Sequence, residues 1–308
     1  MTAAARITFA IPFHHGLAWL REAIGSVIAQ DEPGWRCLVL DDRGEASADV
    51  ERLIRSFAEP RLTHVLNASN LGMAGNWNHG LDAAESDLVT LLHADDRLLP
   101  GYARVVLALA AQHPRAAGVC CDAEIIDADG APAFSFPDRF KRLLVPAGEP
   151  WSLHGEAGLR ALLRGDFVMC PTLCWRRSVL DPRRFEASWK QVQDLELLSR
   201  LLLEGEAIAG TREVAYVYRR HAESATAQQT ASLLRFEEEN ALYDRLAAQS
   251  AARGWDGAAR TARRKAILRL HLGFRIATDL AAGHPGRAMQ KLRFLLRSDR
   301  QRGAGATR

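Results

Sequence analysis

The stretch "SDLVTLLHADDRLLPG", Ser86 to Gly101, decides how the chain folds. Leu88-Val89-Thr90-Leu91-Leu92 is an apolar run stopped abruptly by His93-Ala94-Asp95-Asp96, and it reads as a short strand buried on both faces. Two adjacent carboxylates repel one another. If the chain stays extended their side chains point to opposite faces, whereas a turn lets them converge on one cation. A second reading has the acids capping the helical pattern "RLLPGYARVVLALA".

Working outward from this stretch separates the two readings. "RITFAIPF" (6–13) is a first strand, and "AWLREAIGSVIAQ" places Leu20, Ile24, Val27 and Ile28 at helical spacing. "WRCLVLDD" is a second strand that also ends in two acids, Asp41 and Asp42. "ADVERLIRSFAE" is a second amphipathic helix, "RLTHVLN" a third strand, and "GNWNHGLDAAE" a third helix. Strand and helix alternate with crossover-length connections, so the expected architecture is α/β, a mostly parallel Rossmann-like sheet flanked by helices. Both acid pairs fall at carboxyl ends of strands, the edge where open α/β sheets bind ligands. That placement favours a functional role over capping.

The first strand runs into "AIPFHHG", with neither GxGxxG nor GxxxxGK[ST], which weakens dinucleotide and P-loop readings. Acids in place of a glycine-rich cradle suggest that phosphates are held through a divalent cation with oxygen ligands, Mg²⁺ or Mn²⁺.

Bulk composition fits a soluble globular protein, 48% hydrophobic and 25% charged over 308 residues, long enough for one large domain with an appendage. The net charge of +3 is unevenly spread: from Ala251 onward there are 14 Lys/Arg against 3 Asp/Glu, giving +11 and leaving −8 on the preceding residues. A basic tail on an acidic body suggests an anionic surface, but no zinc-finger, RRM or KH signature accompanies it, so no nucleic acid is expected. The five cysteines have no CxxC spacing and no secretory leader ahead of them, and reduced, buried thiols are expected. No apolar run is long enough to span a membrane, so the expected location is cytoplasmic, with peripheral attachment at the inner membrane face as a variant.

Eight segments in order, "ITFAIPF", "LREAIGSVIAQ", "CLVLDD", "NLGMAGNWNHGL", "LLHADDRLLPG", "CPTLCWRRSVL", "QDLELLSRLLLEG" and "YRRHAES", resemble the family 2 glycosyltransferases of the GT-A group. The resemblance runs from about Arg6 to about Ser224 and implies a GT-A fold and inverting transfer of a sugar from a nucleotide diphosphate donor (UDP, dTDP or GDP linked) to a saccharide or lipid-linked acceptor. It points to surface polysaccharide or glycoconjugate biosynthesis. It also implies roles for single residues. Pro12 and Phe13 pack against the nucleotide base, and Asp42 accepts from a base N–H. Asn76 or Asn78 contacts the donor. "HADD" matches the DxD element with His93 at the first acidic position. Asp95 would then face the donor ribose or phosphate, and Asp96 would hold the metal with His221. Asp194 is the expected catalytic base. Glu196, two residues on, faces away from it. Thr172 and Trp189 are the acceptor-binding candidates, the latter through sugar stacking. His93 in place of an acid leaves a rival reading, a catalytically degenerate nucleotide-sugar-binding protein.

The expected domains are a catalytic unit over 1–228, with a nucleotide-sugar half over about 1–100 and an acceptor half over about 101–228, followed by a basic helical extension over 229–308. "RKAILRLHLGFRIATDLAA" and "GRAMQKLRFLLRS" carry apolar residues at helical spacing with cations between them. Such helices pack on the catalytic unit, lie at a membrane surface, or join two subunits as a homodimer.

Overall fold

The computed structural model describes residues 5–134, 140–224 and 233–305. Four parallel strands form its N-terminal half: β1 (Ile7–Phe13), β2 (Trp35–Asp41), β3 (Leu62–Leu66) and β4 (Leu88–Leu91). With β5 (Arg97–Leu98), β6 (Ala116–Ile126), β7 (Trp151–His154), β8 (Leu173–Arg176) and β9 (Ala207–Arg219), the sheet order is β3-β2-β1-β4-β8-β6-β9-β5, with β7 added on β9. The chain therefore walks outward from β1 to β3 and returns to the other side of β1, which opens a crevice beyond the carboxyl ends of β1 and β4.

Beyond β4 the sheet is mixed. β8 (Leu173–Arg176) lies antiparallel to both β4 and β6 (Ala116–Ile126), while β9 (Ala207–Arg219) runs parallel to β6. The mostly parallel expectation thus describes the first four strands. The later pairings join residues far apart in sequence, and no local alternation announces them. β7 is Trp151–His154.

The helices α1 (Leu17–Ile28), α2 (Ser47–Ser56), α3 (Gly72–Ala83) and α4 (Tyr102–Gln112) sit close to the segments expected for them. Alternation along β1 splits the core in two. Ile7, Phe9, Ile11 and Phe13 pack in one cluster with Leu20, Ile24 and Val27 of α1, whereas Ala10 belongs to the cluster under α3. On that face the helix comes very close: a Cβ on Gly80 would stand 2.7 Å from Leu40 Cδ1 and 3.0 Å from the Ala10 Cβ. Small residues on both sides set the spacing that brings α3 down onto the strand ends.

The remaining helices are α5 (Gly155–Leu162), α6 (Arg177–Leu180), α7 (Gln193–Leu203), α8 (Leu234–Ala252), α9 (Asp256–Arg264), α10 (Ala266–Ala281) and α11 (Pro285–Gly305). The expected boundary between residues 228 and 229 lies outside the described residues. Past it, Leu242, Tyr243 and Leu246 of α8 and Ala258 and Ala262 of α9 join the core cluster under α3. These two helices therefore pack on the preceding α/β unit. Only α10 and α11 stand on a separate small cluster, Phe236 with Leu268 and Leu272, against which Phe294 and Leu295 pack. Among the described residues no helix is long and apolar enough to cross a membrane.

Candidate active site

A cavity of about 590 Å³ occupies the crevice, lined by the carboxyl ends of β1, β2 and β4 together with the start of α7. Pro12, Phe13, Asp42, Asn76, Asp95, Asp194 and His221 all line it, so most of the residues singled out in the sequence converge here.

The acids after β4 sit in a turn, with Asp96 N–H donating to His93 O at 3.1 Å. The next residues, Arg97–Leu98, form the two-residue strand β5, which pairs antiparallel with β9. The turn sends the two carboxylates into different surroundings. Asp96 is fully buried, accepting from the Arg219 backbone N–H at 2.7 Å on Oδ1 and from the Tyr216 hydroxyl at 2.9 Å on Oδ2. Burial, and then the charge of Asp95, pushes its carboxyl well above the usual range. Asp95 instead lines the cavity, with Oδ2 2.8 Å from His221 Nε2. Arg219, itself buried, donates from Nε to the Asp95 carbonyl at 2.8 Å and pairs with Glu22 at 2.6 Å, which locks the turn from behind. The His221 ring packs on Trp19, centroids 4.3 Å apart.

His93 lines the cavity and lies near parallel to the Trp77 ring at 5.7 Å and 19°. Burial lowers its pKa, so it is a neutral imidazole, and its Nε2 has no hydrogen-bond partner among the described residues. Ligand atoms of His93, Asp95 and Asp96 lie within 4.8 Å of one another, and this mixed nitrogen and oxygen set suits Mn²⁺ or Mg²⁺. Both Asp96 oxygens already accept from protein donors, so the cavity-lining members of this set are His93 and Asp95, with His221 joined to Asp95.

At the end of β2, Asp42 is 4% exposed and accepts from Asn67 Nδ2 at 2.8 Å, from Leu71 N–H at 2.7 Å and from Gly72 N–H at 2.9 Å. It fixes the entry to α3 while keeping an edge on the cavity. Asn76 is satisfied internally, donating to Leu40 O at 2.9 Å and accepting from Asn67 Nδ2 at 2.9 Å. Asn78 forms a reciprocal pair with the Phe185 backbone, 2.9 Å each way. Both asparagines therefore carry structural bonds.

Asp194 lies in the first turn of α7, where the unpaired helical N–H groups and the dipole favour a carboxylate. Burial dominates nonetheless and, reinforced by the negative charge of Asp166, holds its pKa up at about 7. Glu196 is fully buried and committed to Arg200 and Arg245. It faces away from Asp194, as the helical spacing requires.

Thr172 and Trp189 lie outside the cavity lining. The Thr172 side chain is fully buried, its hydroxyl donating to Met169 O at 2.8 Å within a short 3₁₀ turn. The Trp189 indole donates to Glu186 at 3.0 Å, and its ring is covered by Arg245. Thr172 was expected at the acceptor from the family resemblance of its segment and Trp189 from its aromatic face close to Asp194, and local packing uses both side chains.

Sequence reasoning missed Asp166, Lys141, Glu239 and Trp19, all on the cavity wall. Asp166 adopts φ +44° just after α5, and its Oδ1 is buried without a hydrogen-bond partner among the described residues. Gly165-Asp166 directly after a helical stretch is a C-cap signal, but nothing local shows that it faces Asp194. Trp19 had a usable signal: it stands outside the Leu20-Ile24-Val27 stripe, so the α1 core does not account for it.

The glycosyl transferase family 2 model matches residues 8–182, more than half of the 308 residues. The chain belongs to glycosyl transferase family 2. Among curated family relatives, the O-antigen biosynthesis protein RfbC of Myxococcus xanthus is 37% identical over 145 residues, 45% of this chain and 11% of that protein. The GalNAc(5)-diNAcBac-PP-undecaprenol β-1,3-glucosyltransferase of Campylobacter jejuni is 31% identical over 99 residues, 31% of each chain. The chain spans less than a third of the length of the curated relatives it matches. The GT-A fold of this family 2 chain is shared with solved structures at low identity. Staphylococcus aureus TarS 1-349 in complex with UDP-GlcNAc has a TM-score of 0.59 at 14% identity, covering 96% of this chain and 92% of that one. The mannosyltransferase PcManGT of Pyrobaculum calidifontis, in complex with GDP-Man and Mn²⁺, has a TM-score of 0.59 at 16% identity, covering 98% and 88%.

Proposed function

We propose that the chain transfers a sugar, with inversion, from a nucleotide diphosphate sugar to an acceptor hydroxyl during assembly of a surface polysaccharide or related glycoconjugate. The observation that carries this reading is one cavity lined by both the Asp95–His221 pair and Asp194, a half-buried carboxylate whose pKa is held up at about 7. Sugar transfer needs both devices, stabilisation of a departing diphosphate and a base for the incoming alcohol.

In this reading Pro12, Phe13 and Asp42 hold the base. Asp95 and His221 would hold Mn²⁺ or Mg²⁺, with Asp96 behind them as the buried acid that shapes the turn. The bound cation would supply charge neutralisation at the diphosphate. The acceptor oxygen attacks the anomeric carbon from the face opposite the diphosphate and its proton passes to Asp194. The new C–O bond forms as the bond to the diphosphate oxygen breaks. His93, neutral and backed by Trp77, offers a hydrogen bond where an acid would add charge. Donors linked to UDP and GDP are named for the solved neighbours, which supports testing both classes here.

The test is release of nucleoside diphosphate from UDP-, dTDP- and GDP-linked sugars with Mn²⁺. Turnover by the wild type that Asp194→Asn abolishes supports the reading. Tight nucleotide binding without turnover would favour the degenerate binding protein.

A further inference from the structure

A different part of the molecule has an unexplained surface. α10 is anchored through Leu268 and Leu272, and Lys291 of α11 pairs with the buried Asp279 at 2.8 Å. The opposite side of α10 is where a water-facing helix would carry its charges. Here that side consists of Leu270, Gly273, Phe274, Ala277, Leu280 and Ala281, all exposed, without one polar group among them. Leu270 is 58% and Leu280 56% exposed. On α11, Met289, Leu292 and Leu296 are exposed as well, with exposed Arg293 among them and exposed Arg287 ahead of them.

Two observations bear on what covers this surface. The exposed apolar residues recur at helical spacing on both arms of a helical hairpin, and no cavity among those described is lined by them, whereas a groove would be needed to grip a peptide. Exposed cations flank it in sequence: Arg253, Arg260, Arg263 and Arg264 precede α10, and Arg287 and Arg293 lie on α11. A second copy on this face would bring two +11 segments together, a repulsion that an anionic surface turns into attraction.

We propose that the outward face of the α10–α11 hairpin docks on an anionic lipid bilayer, with Leu270, Phe274, Leu280, Met289 and Leu296 entering the headgroup boundary and the arginines meeting lipid phosphates. The −8 charge of the preceding residues is repelled by the same surface, which orients the molecule tail-down. This inference is independent of the reaction at the cavity.

Flotation of the full chain with vesicles tests it. The protein rises with vesicles of phosphatidylcholine mixed with phosphatidylglycerol and stays behind with phosphatidylcholine alone. The double substitution Leu270→Asp/Phe274→Asp lowers the bound fraction about tenfold or more, since it removes apolar area from the contact. Arg287→Glu/Arg293→Glu lowers it by about thirtyfold or more on anionic vesicles, because each basic residue contributes on the order of 1 kcal/mol there and about 1.4 kcal/mol is tenfold. All these positions are exposed, and unchanged circular dichroism and melting temperature confirm an intact fold. The proposal is overturned by absence of wild-type flotation on anionic vesicles, by flotation that survives both variants, or by equal binding to neutral vesicles. A dimer by light scattering that Leu270→Asp/Phe274→Asp converts to monomer also overturns it, and assigns the face to a second copy.

Discussion

His221 Nε2 lies 2.8 Å from Asp95 Oδ2, across 126 residues of sequence. The end of β9 thus delivers a histidine to the turn after β4, and the same strand supplies Tyr216 and Arg219 to hold Asp96. One carboxylate of the pair is held inside the fold and its neighbour faces the cavity.

That division predicts opposite outcomes for neighbouring substitutions. Asp96→Ala leaves the Tyr216 hydroxyl and the Arg219 N–H without their buried acceptor and is expected to destabilise the fold by roughly 2–4 kcal/mol, about 1–2 kcal/mol for each donor left unsatisfied. Asp95→Ala, at a partly exposed position, is expected to cost less than about 1 kcal/mol. Urea denaturation of the two variants checks the ranking.

The pH dependence of transfer follows from Asp194. As a base it must be ionised, so activity is expected to fall as pH drops through about 7. Asp166 is the second cause of that elevation, after burial. Asp166→Asn should therefore move the acid limb of kcat/KM to lower pH, with the fold retained. A limb that stays in place would remove Asp166 from this role.

The same shift has a stability signature. The folded chain holds the Asp194 proton up to about 7, while the unfolded chain releases it near the ordinary 3.8. Between these values the folded state binds more protons, so stability from this group is full below 3.8 and declines as pH rises towards 7. Asp194→Asn removes the penalty. It is expected to raise the melting temperature at pH 8 by a few degrees, with little change at pH 4. Differential scanning calorimetry at the two pH values reads the difference.

Gly80 tests the spacing of α3 on the sheet. In Gly80→Ala the new methyl meets Leu40 and Ala10 within 3.0 Å. Overpacking there is expected to cost about 1–3 kcal/mol, despite the better helix propensity of alanine. Chemical denaturation measures it.

What could be read from the sequence divides along physical lines. The first four strands and three helices were legible because each is specified locally, by an apolar run or a 3.6-residue stripe. The acid pairs stood out because charge at the end of a buried strand is costly. Asp194 was singled out through its place in an ordered set of segments, and it stands in the first turn of α7 on the cavity wall. The different fates of Asp95 and Asp96 were not legible, since they depend on Tyr216, Arg219 and His221 arriving from β9. Thr172 and Trp189 show the converse failure: suitable side-chain chemistry was consumed by Met169, Glu186 and Arg245 nearby. The apolar outer face of α10 was half legible, its helical spacing plain and its exposure decided by packing on Phe236.

The most direct test is calorimetric titration of UDP and GDP, each with and without Mn²⁺, into the wild type, Asp95→Ala and Asp194→Asn. The account expects Mn²⁺-dependent binding of one nucleotide to the wild type, loss of that dependence in Asp95→Ala with affinity down about tenfold or more, as removal of a charge contact in a binding site implies, and near-wild-type binding in Asp194→Asn. Equal, Mn²⁺-dependent affinity in the wild type and Asp95→Ala would contradict it.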